Sequence, residues 1–478
     1  MSLPADVRTD GGGWDEPLDL WRAGAPDGAE HTLARIRRVF KVPWPRFTGA
    51  VDFARATPAD RNRVIDLMRV VALLCVVVGH WLKQGIFIDA EGIPHRQGLL
   101  DLAPWTHPVT WLFQVMPIFF LVGGFSNALS WRRAVVAGTT YGSWLYRRTR
   151  RLTSPLVPLL VFWSITASLS GVLGLDQDWL RIAGRASLVP TWFLATYLVV
   201  VALVPLTLRI WDRFGLASIV AGLLLAGSVD ATSLLAESDI VGLANVILVW
   251  GTMHQLGYAW LDGALHRPHR AVLLAGGSFA ALVALVGLGP YGISMVGVPG
   301  FGVDNTYPPR VTLLLLGLWQ AGVVLSLEPR LRRVVARPRI WVAIVTLESR
   351  LMTIYLWHMA AVGLVLGVSI WSGIGLRSRP DTADWWITRP LWLLVLAGTT
   401  LLLTLLLGRY ETRPASRLST RAWLSLTEAG LISLAIAAMA HYGLVLSGGR
   451  VLWYLPLGAA VLLIGVARTT HGSAGGST

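Results

Sequence analysis

RNRVIDLMRVVALLCVVVGHWL, residues 61–82, is the first strongly hydrophobic stretch of the chain, and it carries Asp66, Arg69 and His80 where a plain membrane anchor carries leucine. A helix of about twenty apolar residues crosses the hydrocarbon layer of a bilayer, so the stretch reads as a transmembrane helix. Ionisable groups at that depth are costly, and three in one span mark a functional site. His80 follows Arg69 by eleven positions, about three helical turns and roughly 16 Å of rise, which sets the two on nearly one face at different depths. Asp66 lies three positions before Arg69, a spacing at which a carboxylate meets a guanidinium. A plain interfacial ion pair accounts for Asp66 and Arg69 as well as a catalytic role does.

The rest of the chain has the same character. Its 478 residues are 54% hydrophobic and only 14% charged, a composition that excludes an ordinary soluble globule. Apolar runs of crossing length fall near 64–82, 109–131, 155–173, 191–208, 216–235, 241–260, 271–288, 310–327, 341–370, 390–408, 429–446 and 451–467. The expected fold is therefore all-α, a polytopic transmembrane helical bundle of about ten core spans with two additional C-terminal spans. The net charge of +14 invites a nucleic-acid reading, but the basic residues alternate by loop. With the N-terminus inside, about 30 of the 41 Lys and Arg residues fall on the inner face, as the positive-inside rule expects. Both termini are then cytoplasmic, and the charge reports topology rather than a nucleic-acid partner. Only Lys41 and Lys83 are lysine, an arginine bias that points to a GC-rich bacterial genome and so to a bacterial plasma membrane. The single cysteine, Cys75, permits no intrachain disulfide. Residues 1–60 hold no hydrophobic segment of signal-peptide type, so the first span is expected to insert the protein itself.

Three regions follow from this: a cytoplasmic tail over 1–60, a transmembrane core over 61–410, and a C-terminal hairpin with a short tail over 411–478. In the tail, HTLARIRRVF (31–40) reads equally as a short interfacial helix or a frayed turn. The longer external connections are Lys83–Pro108, Gly174–Pro190, Gly289–Arg310 and Trp371–Arg389. GPYGISMVGVPGFGVDNTYPP (289–309) is rich in glycine, proline and aromatics, which predicts an ordered irregular loop that either covers an acceptor site or simply connects.

Several polar groups stand out against this apolar background. Arg147, Arg148, Arg150 and Arg151 cluster before the third span, and a planar guanidinium donates two hydrogen bonds at once to a phosphate. The same cluster equally serves topology and lipid phosphates. The second span carries MPIFFLVGGF (116–125), whose Pro117, Gly123 and Gly124 permit a kink and a close helix approach. His107 lies near its outer end, on the side expected for His80. In the ninth region Tyr355 and His358, with Ser349, Glu348 and Arg350 before them, are candidates to line a shared cavity, although Glu348 and Arg350 are two apart and do not face each other on a helix. His254 with Gln255 is a further buried polar pair, read first as interhelical hydrogen bonding. No metal-ligand spacing, phosphate-binding glycine loop or nucleophile elbow is present, and no metal is expected.

Taken together, R-x-x-D-L-M-R at Arg63–Arg69, the Arg69 and His80 pair, MPIFFLVGGF, RRTRRL at 147–152, TWFL at 191–194 and IYLWH at 354–358 resemble the acyltransferase 3 family of integral membrane O-acyltransferases. The resemblance spans about residues 60–410. Many members have His or Leu where this chain has Thr191, and the last two spans look like an addition. The resemblance implies acyl transfer (EC 2.3.1.-) from cytoplasmic acyl-CoA, a co-substrate, to a hydroxyl of an extracytoplasmic acceptor, often a carbohydrate. It implies His80 as base or acyl relay, Arg69 on the donor path, and Arg148 with Arg151 as the donor-binding R-x-x-R motif, flanked by Arg147 and Arg150; the spacing of Asp66 adds it to the candidate catalytic set as the group that holds Arg69. The residue types agree, since histidine titrates near neutrality and suits removal of a hydroxyl proton. The alternative is a transporter or flippase exporting a glycan, lipid or acylated metabolite, although the repeated halves common in transporters are not found.

Overall fold

The structure, a computed structural model, describes residues 54, 57–58, 61–89, 94–95, 97–172, 174, 177–376, 378–408 and 421–444. Among them, ten helices are long and apolar enough to cross a membrane. The sheet content among the described residues is one hairpin, β1 (Phe87–Ile88) against β2 (Pro94–His95). The protein is thus a polytopic helical membrane protein. The expected tail helix at 31–40 and the last expected span, 451–467, lie outside the described residues.

The deciding stretch forms α1 (Arg63–Lys83), started by Asn62, whose side-chain oxygen accepts from the Val64 amide at 3.1 Å. There follow α2 (Met116–Val136), α3 (Tyr141–Thr153), α4 (Leu156–Ser168), α5 (Gln177–Leu188), α6 (Trp192–Ala202), α7 (Val204–Phe214) and α8 (Leu216–Leu235). The chain continues through α9 (Asn245–Leu261), α10 (Pro268–Leu288), α11 (Val311–Val335), α12 (Pro338–Glu348), α13 (Leu351–Ser372), α14 (Ala383–Leu407) and α15 (Ala422–Tyr442). Five of these, α2, α11, α12, α13 and α14, pack around α1. The ionisable groups of α1 are thus met by neighbouring helices, as an ionisable side chain in lipid requires.

Glycine sets the closest approach in the bundle. A methyl on Gly124 of α2 would collide with the His254 carbonyl of α9, and one on Gly257 of α9 with the Leu121 carbonyl of α2. The GG pair of MPIFFLVGGF and Gly257 thus let two backbones touch, the small-residue device of membrane helices.

Three elements differ from the sequence expectation. The third expected span, 155–173, is only the thirteen-residue α4, about 20 Å long and too short to cross. The expected external segment Gly174–Pro190 is largely the amphipathic α5, which runs through a 3-10 turn (Val189–Thr191) into α6; the combined stretch Gln177–Ala202 is long enough to cross. Its mixed face, with Leu180, Ala183, Gly184 and Ser187 buried, dilutes the hydropathy that a continuous apolar run would show. The region 341–370 is broken between α12 and α13 at Ser349–Arg350, where polar residues interrupt the apolar run.

The segment 289–310 is, as expected, irregular but ordered. Asn305 donates to the carbonyls of Gly292 and Ser294, each at 2.8 Å, while Trp111 donates to Ile293 at 2.7 Å and Gln114 to Met295 at 2.9 Å. Arg310 closes its base by pairing with the fully buried Asp230 at 2.8 Å.

Candidate active site

Two polar clusters lie along α1, one at each end. At the start of the helix, Arg69 Nη1 donates to Glu348 Oε1 at 2.7 Å and to Asp66 Oδ1 at 3.1 Å, and Nη2 donates to the Ser126 hydroxyl. Arg61 completes a ring, with Nε on Asp66 Oδ2 at 2.7 Å and Nη2 on Glu348 Oε2 at 3.1 Å. Two guanidinium groups thus share two carboxylates, and every carboxylate oxygen is met, which is what keeps a buried ionic group from being a net cost. Burial drives the Glu348 carboxyl above its ordinary range against the attraction of Arg69, and Asp66 adds repulsion; its hydrogen bond to Asp66 raises Arg61.

The sequence identified Asp66 as the partner of Arg69 but not Glu348, which reaches it from α12, or Arg61. An acidic residue interrupting the apolar run 341–370 was the available signal, since a carboxylate there needs a cation. Arg350, two residues on, instead packs against Gly408.

The arginine helix α3 approaches this ring. Arg148 feels repulsion from Arg69 as well as from Arg151 and Arg147, and burial, the largest cause, lowers its guanidinium to about 10. Its guanidinium carbon sits 5.8 Å from the Trp144 ring centroid, and Arg150 stands over Tyr146 at 5.8 Å. Among the described residues no carboxylate pairs with Arg147, Arg148, Arg150 or Arg151. Such a half-buried cationic cluster carries positive charge that no described carboxylate offsets, and a surface of that kind attracts anions.

At the other end of α1, His80 meets α13. His80 Nδ1 and His358 Nε2 are 2.9 Å apart, with ring planes within 4° and centroids 5.2 Å apart. Nearly parallel rings with so short a nitrogen contact and so long a centroid separation lie end to end, in one plane, not face to face. His358 Nδ1 lies 2.6 Å from the Tyr355 carbonyl. A carbonyl only accepts, so His358 carries its proton on Nδ1 and, in the neutral pair, accepts at Nε2 from His80 Nδ1–H. His80 Nε2 is then left with a free lone pair, and it makes no hydrogen bond among the described residues. The Trp81 indole donates to the His358 carbonyl at 3.1 Å, tying α1 to α13, and the Tyr355 hydroxyl donates to the Pro190 carbonyl.

The remaining sequence candidates lie elsewhere. His107 hydrogen-bonds the Leu100 carbonyl at 2.8 Å and meets the Phe301 ring edge-on at 4.8 Å, so it supports the 289–310 loop rather than the histidine pair. His254 sits in a separate file, with Asn127 Nδ2 at 3.1 Å from its Nε2 and the Tyr258 hydroxyl at 2.9 Å from its Nδ1. Asn127 also donates to the Tyr197 hydroxyl at 3.0 Å, so this file bridges α2, α6 and α9. Among the described residues no group of three or more His, Cys, Asp or Glu side chains is placed to hold a metal.

A family model described as an acyltransferase domain, acyltransferase 3, matches residues 62–409. The match includes both clusters of α1 except Arg61, together with the arginine helix and His358, and it ends before α15. No curated protein and no solved structure matches the chain.

Proposed function

The chain belongs to the acyltransferase 3 family and is a membrane acyltransferase, and from that premise we propose that it moves an acyl group from cytoplasmic acyl-CoA to a hydroxyl of an extracytoplasmic carbohydrate or glycolipid. In this reading it is a bacterial plasma-membrane O-acyltransferase with both termini in the cytoplasm. The observation that carries the proposal is the histidine pair, which leaves His80 Nε2 unprotonated and aimed by a partner that is itself fixed by the Tyr355 carbonyl.

In this reading each step falls to a group described above. Arg147, Arg148, Arg150 and Arg151 hold the phosphates of the donor, and Arg69, kept in position by Asp66 and Glu348, extends that positive surface to the start of α1. The thioester lies along α1 toward His80. His80 Nε2 takes the acceptor hydroxyl proton as the oxygen attacks the thioester carbonyl; the C–S bond breaks, and the leaving thiolate recovers the proton. If the acyl group rests on the enzyme, the same Nε2 is the nucleophile. The His358 ring, anchored on the Tyr355 carbonyl, stabilises the imidazolium formed on His80, the role of the orienting third group in nucleophile and base systems.

Supplying acyl-CoA and native envelope glycans to the detergent-solubilised protein tests this directly, because transfer needs no second compartment and export does. The expected result is CoA release dependent on the acceptor and absent in His80→Ala. Undiminished release by a folded His80→Ala protein would overturn the assignment.

A further inference from the structure

Arg389 takes no part in the chemistry above, yet its setting is unusual. It lies in α14, which is one of the helices facing outward: only 17% of the most apolar window of α14 is buried in the bundle. The buried residues of this helix are Trp385, Arg389, Leu396, Thr400 and Thr404, spaced by three to four residues or multiples of that, which defines one inward stripe. Arg389 is on that stripe and only 9% exposed. A guanidinium that served lipid headgroups alone would snorkel from the outward face instead.

Its Nε donates to the Trp385 carbonyl at 3.2 Å, and its guanidinium carbon lies 4.3 Å from the Trp385 ring centroid and 5.2 Å from that of Trp392. Nη1 and Nη2 make no hydrogen bond, and no carboxylate pairs with the residue, among the described residues. Neither nitrogen is fully enclosed, so both open onto accessible space. The two indole rings hold the cation by its faces and leave its hydrogen-bonding edge free. A buried, uncompensated charge of this kind is expensive unless an anion meets it.

Trp385 packs in one cluster with Leu82 of α1 and with Leu99 and Ala103, so Arg389 stands at the His80 end of α1. Trp386 and Trp105 lie alongside, their rings 5.9 Å apart, and Trp105 is 68% exposed. The His80 end of α1 is therefore flanked by a free guanidinium edge and exposed indole surface. We propose that Arg389 binds a phosphate group of a membrane-borne acceptor and so holds that acceptor's hydroxyl toward His80. The inference rests on the acyl-transfer reading for its consequence, but not for the binding itself.

Native mass spectrometry of the full-length protein in detergent tests it with three probes: a polyprenyl phosphate, the uncharged polyprenol, and phosphatidylglycerol. The wild type is expected to retain the polyprenyl phosphate and not the polyprenol. Arg389→Gln is expected to lose at least tenfold in that binding, and Arg389→Lys to keep part of it because the charge remains. A monodisperse, normally stable Arg389→Gln protein that binds polyprenyl phosphate like the wild type overturns the proposal. Equal, Arg389-dependent retention of phosphatidylglycerol overturns the acceptor assignment and makes the group a bulk lipid headgroup. His80→Ala must leave phosphate binding intact; if His80→Ala also leaves transfer intact, the acyl-transfer reading fails while the phosphate site stands.

Discussion

His80 of α1 and His358 of α13, 278 residues apart in sequence, share a 2.9 Å hydrogen bond that runs end to end between their rings. Because the Tyr355 carbonyl claims the other nitrogen of His358, the proton order along the pair is fixed, and His80 Nε2 is the nitrogen of the pair left without a partner among the described residues. Replacing His358 by alanine leaves His80 free to adopt either tautomer and either ring orientation. The expected effect is a loss of about 10²-fold in kcat, within the range that general-base catalysis supplies, with KM for acyl-CoA unchanged. His358→Gln, whose amide oxygen can still accept from His80 Nδ1–H, is expected to recover part of the loss. Steady-state kinetics of the three proteins at equal folded concentration checks this.

Arg148 offers a different signature. Its half-buried guanidinium has no carboxylate partner among the described residues, and a charge-assisted hydrogen bond to a phosphate is worth about 1.5–3 kcal/mol. Arg148→Ala should therefore raise KM for acyl-CoA by about ten- to a hundredfold with a smaller change in kcat. The exposed Arg151 should matter less in 0.5 M salt than at low ionic strength, since solvent-facing charges are the ones salt screens. A kcat effect without a KM effect for Arg148→Ala would remove it from the donor site.

The ring of Arg61, Asp66, Arg69 and Glu348 predicts strong coupling. Removing Arg69 alone leaves Asp66, 3% exposed, with Arg61 as its remaining described cation, and losing a charge-assisted hydrogen bond of this kind costs about 1.5–3 kcal/mol. Arg69→Met should lower the unfolding temperature in detergent markedly, whereas Asp66→Asn combined with Arg69→Met should cost much less than the sum of the two single changes. The double-mutant coupling is expected at about 1–3 kcal/mol; additive effects would show that the ring is not a unit.

Gly124 and Gly257 test the packing that carries the site. A methyl at either position meets backbone of the opposing helix, which cannot yield as a flexible side chain does. Gly124→Ala and Gly257→Ala should each destabilise the protein by about 1–3 kcal/mol through overpacking. Gly430 has open space around it, so Gly430→Ala is the control and should leave the unfolding temperature within a degree or two. Thermal unfolding followed by tryptophan fluorescence separates the two cases.

Much of this protein is legible along the chain. Hydrocarbon thickness and helical rise demand long apolar runs, and such runs place most of the membrane-crossing helices directly. The cost of charge in lipid makes Asp66, Arg69 and His80 conspicuous before any neighbour is known. Where the pattern failed, a physical competitor explains it: α5 is amphipathic and so lacks a span's hydropathy, and α4 is apolar but too short. The motif glycines announced a close approach without naming α9 as the helix approached.

What the sequence could not settle is which polar groups meet. Asp66 and Arg69 are three apart on one helix, so their contact follows from helical geometry alone. Glu348 meeting Arg69, His358 meeting His80, and His107 and His254 standing elsewhere depend on how α12, α13 and their neighbours rotate and slide around α1. Periodicity fixes which residues share a face of one helix; only packing in three dimensions decides which face of another helix that face will meet.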